Sequence, residues 1–297
     1  MPASAMPQHH EWTEVHLRTK SAHAPTLSEA LIREGASGTW LQDDAGGTTI
    51  VAFFPSRTDV CSRLASVEAA LPGLTPFPEP AVSGALARDW EQVWREQFHP
   101  FRVGERWAVQ APWHERPAGI EIIEIEPGMA FGTGLHHTTR LCLEALLESE
   151  VAGSTVVDVG AGSGVLAVAA AKAGAARVLA LDCDLEALLS AAGNVARNGV
   201  TERVHLFAAS GVAAIRRAAA GRPAWADIVV ANLTPTGVSE LAGHLPGVLR
   251  PGGRFLASGI AEPSARGVEC RLLEQGFNIT RRRQAEDWIA FEALLCR

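Results

Sequence analysis

A chain of 297 residues is too long for most single hydrophobic cores and points to one ordinary domain with a smaller companion. Hydrophobic residues make up 47% and charged residues 20%, and no apolar run approaches the roughly 20 residues of a membrane helix, so a soluble globular protein is expected. A net charge of −7 argues against direct binding of nucleic acid through a bulk positive field, and is compatible with docking a basic protein.

The start, "MPASAMPQHHEW", lacks the basic segment and apolar core of a secretory signal, which implies a cytoplasmic location. Cys61, Cys142, Cys183, Cys270 and Cys296 are odd in number, scattered and never spaced as CxxC. Reduced thiols are expected, with neither a disulfide framework nor a zinc site.

The first 70 or so residues read strand, helix, strand, helix, through "EWTEVHLRT", "TLSEALIREGASG", "GGTTIVAFFP" and "DVCSRLASVEAAL". That suffices for a small α+β module over residues 1–72. "LPGLTPFPEPAVSG" then interrupts regular structure and makes a poor strand. "ALARDWEQVWREQF" places Leu86, Trp90, Val93, Trp94 and Phe98 at helical spacing, a packing stripe on a connector helix. Residues 73–100 are therefore read as a linker, and residues 101–297 as the larger domain.

Beyond the linker, apolar strands alternate with helices. "STVVDVG", "ARVLALD", "RVHLFAA", "ADIVVANL" and "GRFLASGI" are strands, with "GVLAVAAAKAGA" and "LEALLSAAGNVARNG" among the helices between them. This order predicts an α/β fold with a parallel sheet covered on both faces. The end, "GFNITRRRQAEDWIAFEALLCR", reads as two strands without an intervening helix, hence a terminal antiparallel hairpin.

In such a sheet ligands bind at the carboxyl ends of the strands, and the first strand-to-helix turn is the usual cradle. Here the turn runs Asp158, Val159, Gly160, Ala161, Gly162, Ser163, Gly164. A dinucleotide fingerprint would need a small residue at position 165, where the chain has Val165. DxGxGxG is instead the S-adenosylmethionine loop of Rossmann-like methyltransferases. Asp182 ends the next strand, 22 positions beyond Gly160, where a carboxylate can accept from both ribose hydroxyls. Asn232 closes the fourth strand on the same rim, and its amide can position an amine or cap the following helix.

A second glycine-rich stretch, "EPGMAFGTGLHHTT", precedes the cradle at 126–139. No lysine follows its glycines, which excludes a Walker loop. Its adjacent His136 and His137 lack a third ligand at metal spacing, so no metal is expected. His137 could serve as a base or in a turn, and Thr138 or Thr139 could cap the helix "TRLCLEALLES" while facing the cofactor.

"EPGMAFGTGLHHTTRLCLEAL", "VVDVGAGSGVLAVAAAKAGA", "VLALDCDLEAL", "NVARNGV" and "VVANL", in this order, resemble the ribosomal protein L11 methyltransferases (the PrmA type). "DWEQVWREQFHPFRVGERWAVQAPW" is similar to that family's linker. The segment Phe131, Gly132, Thr133, Gly134 with Thr138 and Thr139 is its most family-specific part, a possible wall of the site. The resemblance implies a ferredoxin-like domain that recognises a large-subunit ribosomal protein, followed by a Rossmann-like domain that methylates its amino groups. It also implies that Thr139, Gly160, Asp182 and Asn232 contact the cofactor; the DxGxGxG turn itself adds Asp158, Gly162 and Gly164 to the expected cofactor-binding residues. The chain departs from the family at Leu135-His136-His137, where Thr-His-Pro is usual, and at Leu233-Thr234-Pro235, where Ile-Leu-Ala is usual.

The expected chemistry is in-line attack of a neutral amine on the sulfonium methyl group, releasing S-adenosylhomocysteine. Orientation of this kind supplies on the order of 7–11 kcal/mol of a barrier, and no dedicated base is required. A monomer is expected. Methylation of another protein or a small molecule, a Rossmann oxidoreductase, and a non-catalytic S-adenosylmethionine-binding protein are the alternatives.

Overall fold

In the computed structural model the described residues are 12–44, 46–55, 58–84, 99–126, 136–211, 213–215 and 224–296. The chain divides into two units, residues 1–97 and 98–297.

The described strands and α-helices of the first unit run in the order βαββαβ: β1 (Trp12–Thr19), α1 (Ala24–Arg33), β2 (Gly38–Asp44), β3 (Gly47–Pro55), α2 (Val60–Ala70) and β4 (Ala81–Gly84). α1 turns Leu27, Ala30 and Leu31 inward, and α2 starts on Asp59, whose carboxylate accepts from the Ser62 amide at 3.3 Å. Both helices pack on a sheet ordered β2-β3-β1-β4 in which each neighbouring pair is antiparallel. Val15, Leu17, Ile50 and Phe54 form the sheet side of that core. This is the ferredoxin-like arrangement.

Two strands of this sheet are absent from the strand–helix–strand–helix expectation. β2, "GTWLQDD", has too little alternation to stand out, and its register comes from the hairpin with β3, from Gly38 opposite Phe53 to Asp44 opposite Gly47. β4 comes from the stretch read as linker and a poor strand. It pairs with β1 from Thr13 opposite Gly84 to His16 opposite Ala81. Pro80 precedes it and β4 is an edge strand, the position at which a sheet tolerates proline. The connector-helix residues 86–98 lie outside the described residues.

The second unit is built on a seven-stranded sheet ordered β10-β9-β8-β11-β12-β14-β13. Its strands are β8 (Thr155–Val159), β9 (Arg177–Asp182), β10 (Val204–Ala208), β11 (Ala226–Asn232), β12 (Leu249–Ala261), β13 (Phe277–Ala285) and β14 (Trp288–Leu295). The pairs from β10 to β12 are parallel, while β14 is antiparallel to both β12 and β13, which is the predicted terminal hairpin. The α-helices placed among the described residues are α3 (His137–Leu147), α4 (Val165–Lys172), α5 (Leu185–Arg197), α6 (Pro235–Ala242) and α7 (Glu262–Glu274). α4, "VLAVAAAK", is buried at every residue from Val165 to Ala171, which is why it is apolar all round rather than striped. The order β10-β9-β8-β11-β12 reverses direction at β8, so the strand ends there form the switch point where such sheets bind ligands.

A small sheet of β5 (Phe101–Val103), β6 (Trp107–Gln110) and β7 (Glu121–Glu124) precedes this domain. These strands are three or four residues long, too short for a periodic signal. No helix among the described residues is long and apolar enough to cross a membrane.

Candidate functional site

β8 ends at Val159, and the turn that follows carries Gly160, Gly162 and Gly164 at φ of 78°, 52° and 78°. L-residues rarely adopt this region, so the turn requires glycine for its path as well as for space. A Cβ on Gly160 would meet the Leu233 side chain at 2.7 Å, and one on Gly164 would meet Ala191 of α5 at 3.0 Å. The amides of Gly160 and Ala161 both donate to the Leu181 carbonyl, at 2.9 and 3.0 Å, which holds the turn against the end of β9.

Asp182 is the last residue of β9. Its carboxylate accepts the Gly162 amide at 2.8 Å on one oxygen and the Asp184 amide at 3.0 Å on the other. Asp158 lies one strand away and is fully buried, with no hydrogen bond to either carboxylate oxygen among the described residues. Burial pushes its carboxyl up to about 7. The Ala167 backbone amide opposes the shift, and the charge of Asp182 adds to it.

Register places the polar side chains of these strands on one face. Asp158 pairs with Val230 and Ser258 pairs with Asn232, two residues further along β11, so all four point to the same side of the sheet. α3 covers that side. Its Cys142 lies against the Ala231 carbonyl, and its thiol is raised by burial and by the charge of Asp158. One turn earlier, Thr139 is 1% exposed and its hydroxyl accepts from the Asn232 side-chain amide at 3.2 Å. Thr139 and Asn232, far apart in sequence, are thus brought together.

Neither Thr138 nor Thr139 caps α3. The cap is His136, whose Nδ1 accepts from the Thr138 amide at 3.3 Å and lies 2.8 Å from the Thr138 hydroxyl. Thr138 and Thr139 fall within the first turn, with both side chains turned inward. Histidine is not a common cap, and for that reason the threonines attract the sequence reading. Asn232 does not cap α6 either; Thr234 does, accepting from Gly237 at 3.3 Å. The amide of Asn232 is thereby left to the strand rim. Phe131, Gly132, Thr133 and Gly134 lie outside the described residues.

Two sets of supporting contacts were not anticipated. The hairpin of β13 and β14 braces α3 at both ends: the Trp288 ring meets His136 edge to face at 4.8 Å, and Glu286 stands 3.6 Å from His137. At the other end Arg283 binds Glu148 with two nitrogens, at 2.6 and 3.2 Å, and Glu292 with a third at 2.5 Å. The end of helix α5 supplies the second set, through Asn194, Arg197 and the C-cap residue Asn198, which grip residues 124–126. The pair of asparagines four apart in "NVARNG" is the sequence signal for it.

A cavity of about 740 Å³ sits at the opposite, amino edge of the sheet, lined by residues that include Ser154, Lys172, Asp227 and Arg250. Arg250 is paired there with Asp227 at 2.6 Å, and the strand-end chemistry lies elsewhere. Among the described residues no group of three or more His, Cys, Asp or Glu side chains could hold a metal.

The model of the ribosomal protein L11 methyltransferase family (PrmA) matches residues 11–294. A ribosomal protein L11 methyltransferase of Pelotomaculum thermopropionicum is 36% identical over 312 residues, covering 96% of this chain and 99% of its own. Another, from Edwardsiella ictaluri, is 32% identical over 295 residues, covering 93% and 97%. The crystal structure of a ribosomal protein L11 methylase from Lactobacillus delbrueckii subsp. bulgaricus superposes with a TM-score of 0.61 at 32% identity, covering 67% of this chain and all of that one.

Proposed function

Because this chain belongs to the ribosomal protein L11 methyltransferase family, we propose that it transfers methyl groups from S-adenosylmethionine to amino groups of that ribosomal protein, on lysine side chains, the N-terminus or both. It is an S-adenosylmethionine-dependent methyltransferase acting on a ribosomal protein; the nitrogen acceptor and the residue roles are our reading.

The strand-end site fits the cofactor. The turn from Gly160 to Gly164 has no Cβ at its three tightest points, so a ligand can approach its backbone closely. Asp182 uses one lone pair of one oxygen for the turn and one of the other for the Asp184 amide, and keeps others for ribose hydroxyls. Thr139, Gly160, Asp182 and Asn232 are the residues we assign to holding the cofactor.

When bound, S-adenosylmethionine supplies a methyl group already activated by its positive sulfur. The protein's remaining tasks are to hold an amine in line with that methyl group and to keep it unprotonated. Asn232 suits the first task. Its Nδ2 is committed to Thr139, which fixes the amide plane and leaves Oδ1 as an acceptor for an amine hydrogen. That bond is the observation that carries the assignment. The first unit, with its own core and sheet, is the part we assign to recognising the ribosomal protein.

The test is mass spectrometry of ribosomal proteins incubated with the enzyme and S-adenosylmethionine. Methylated lysine or N-terminal nitrogen in L11 alone supports the proposal. Methylation confined to another protein, or at oxygen or carbon, overturns it.

A further inference from the structure

Asn194 is 1% exposed in the last turn of α5, and both its side-chain oxygen and its side-chain nitrogen are used. Its Oδ1 accepts from the Glu126 amide at 2.8 Å, and its Nδ2 donates to the Ser163 carbonyl at 2.9 Å. Ser163 belongs to the glycine turn between β8 and α4. Glu126 ends the segment that leaves β7. One side chain therefore ties two backbone segments that meet nowhere in sequence.

Its neighbours at the C-terminal end of α5 do only half of this. Asn198 accepts from the Glu124 amide at 2.9 Å and donates to the Glu124 and Asn194 carbonyls. Arg197 pairs with the Glu126 carboxylate. Both hold residues 124–126, and neither touches the glycine turn in any hydrogen bond among the described residues. Just before Asn194, Ala191 lies against Gly164 closely enough to leave a Cβ there only 3.0 Å. The turn thus rests on α5 by contact at Gly164 and by a hydrogen bond at Ser163. A buried amide polarises and fixes both partners in low dielectric, and loss of either bond leaves a buried backbone group unpaired.

We propose that Asn194 is a positioning residue for the methyl-transfer site: it sets the glycine turn, acting through Ser163, and locks it to the segment that enters residues 127–135. The assignment rests on the reading of that turn as the cofactor cradle. Its test compares Asn194→Ala with Asn198→Ala, two equivalent truncations one helical turn apart. S-adenosylhomocysteine affinity is measured by calorimetry, and exchange of the Gly162 and Gly164 amides by NMR.

Asn194→Ala is expected to weaken the ligand about ten-fold and to speed exchange of both loop amides. Asn198→Ala is expected to lower the Tm while leaving both readouts near wild type. If Asn194→Ala does not fold, Asn194→Ser, which keeps a small polar group, takes its place. Equal effects of the two positions on affinity and loop exchange overturn the proposal, as do loop amides indifferent to Asn194. Wild-type protein that binds no S-adenosylhomocysteine would refute the cofactor reading, and the exchange measurement would still decide the role of Asn194.

Discussion

The Gly162 amide donates to the Asp182 carboxylate at 2.8 Å, so the acid at the end of β9 is part of the glycine turn as well as a neighbour of its ligand. Asp182→Ala removes an acceptor shared by the turn and, in our assignment, the ribose. Hydrogen bonds to a charged acceptor are worth roughly 1.5–3 kcal/mol each, so cofactor affinity should fall by ten-fold or more. Calorimetric titration with S-adenosylhomocysteine checks this. Asp182→Asn is the sharper variant, since whichever way its amide turns, its NH2 group confronts the Gly162 or the Asp184 amide, donor against donor. Affinity unchanged in both variants would remove Asp182 from the site.

Asn232 and Thr139 should separate binding from turnover. Asn232→Ala removes the acceptor that we assign to the attacking amine, so kcat should drop by about ten- to a hundred-fold while cofactor affinity changes less. Thr139→Val abolishes the acceptor that fixes the Asn232 amide and should reproduce part of the same loss. Steady-state methyl transfer to L11, read beside calorimetry, distinguishes the effects. Equal losses in affinity and turnover would confine Asn232 to holding the cofactor.

The order of β8 to β14 and the positions of Gly160, Asp182 and Asn232 were legible because they depend on local signals: apolar strands, glycine spacing and an acid at a strand end. The strands β2, β4 and β5 to β7 were not, because each is short or weakly alternating and gains its place from a partner strand. The cap at His136 escaped for a similar reason. Its role comes from the way the chain enters α3 and from Trp288, 152 positions later, which no local pattern announces. Asn194 is the one polar member of a buried stripe with Ala187, Leu188, Ala191 and Val195, but the sequence reading did not single it out, because its partners at Glu126 and Ser163 come from distant loops.

Asp158 predicts a pH dependence of stability. Its carboxyl is raised from 3.8 to about 7 in the fold, chiefly by burial. An acid whose folded pKa lies above its unfolded one binds more protons when native, so stability falls as pH rises between about 4 and about 7, and levels off above. Asp158→Asn removes that titration. The Tm of the variant should therefore gain on wild type as pH increases across this window, with the difference constant on either side of it. A difference independent of pH would mean that Asp158 is as easily ionised in the fold as in the unfolded chain.

Arg283 links the C-terminal hairpin to α3, and its removal should cost more than a surface ion pair. The Arg283 side chain is 7% exposed and Glu292 is nearly as enclosed, with 12% of its side chain accessible. Arg283→Ala leaves that carboxylate buried without its partner, a loss of about 3 kcal/mol or more. Glu148→Gln should cost less, since that side chain is 54% exposed and water replaces what is lost. Arg283→Met with Glu292→Gln removes both charges while filling much of the space, and should recover part of the stability. Urea denaturation of the four proteins measures each difference. If Arg283→Ala proves no worse than Glu148→Gln, the network is a surface ornament and α3 is held by Trp288 and apolar packing alone.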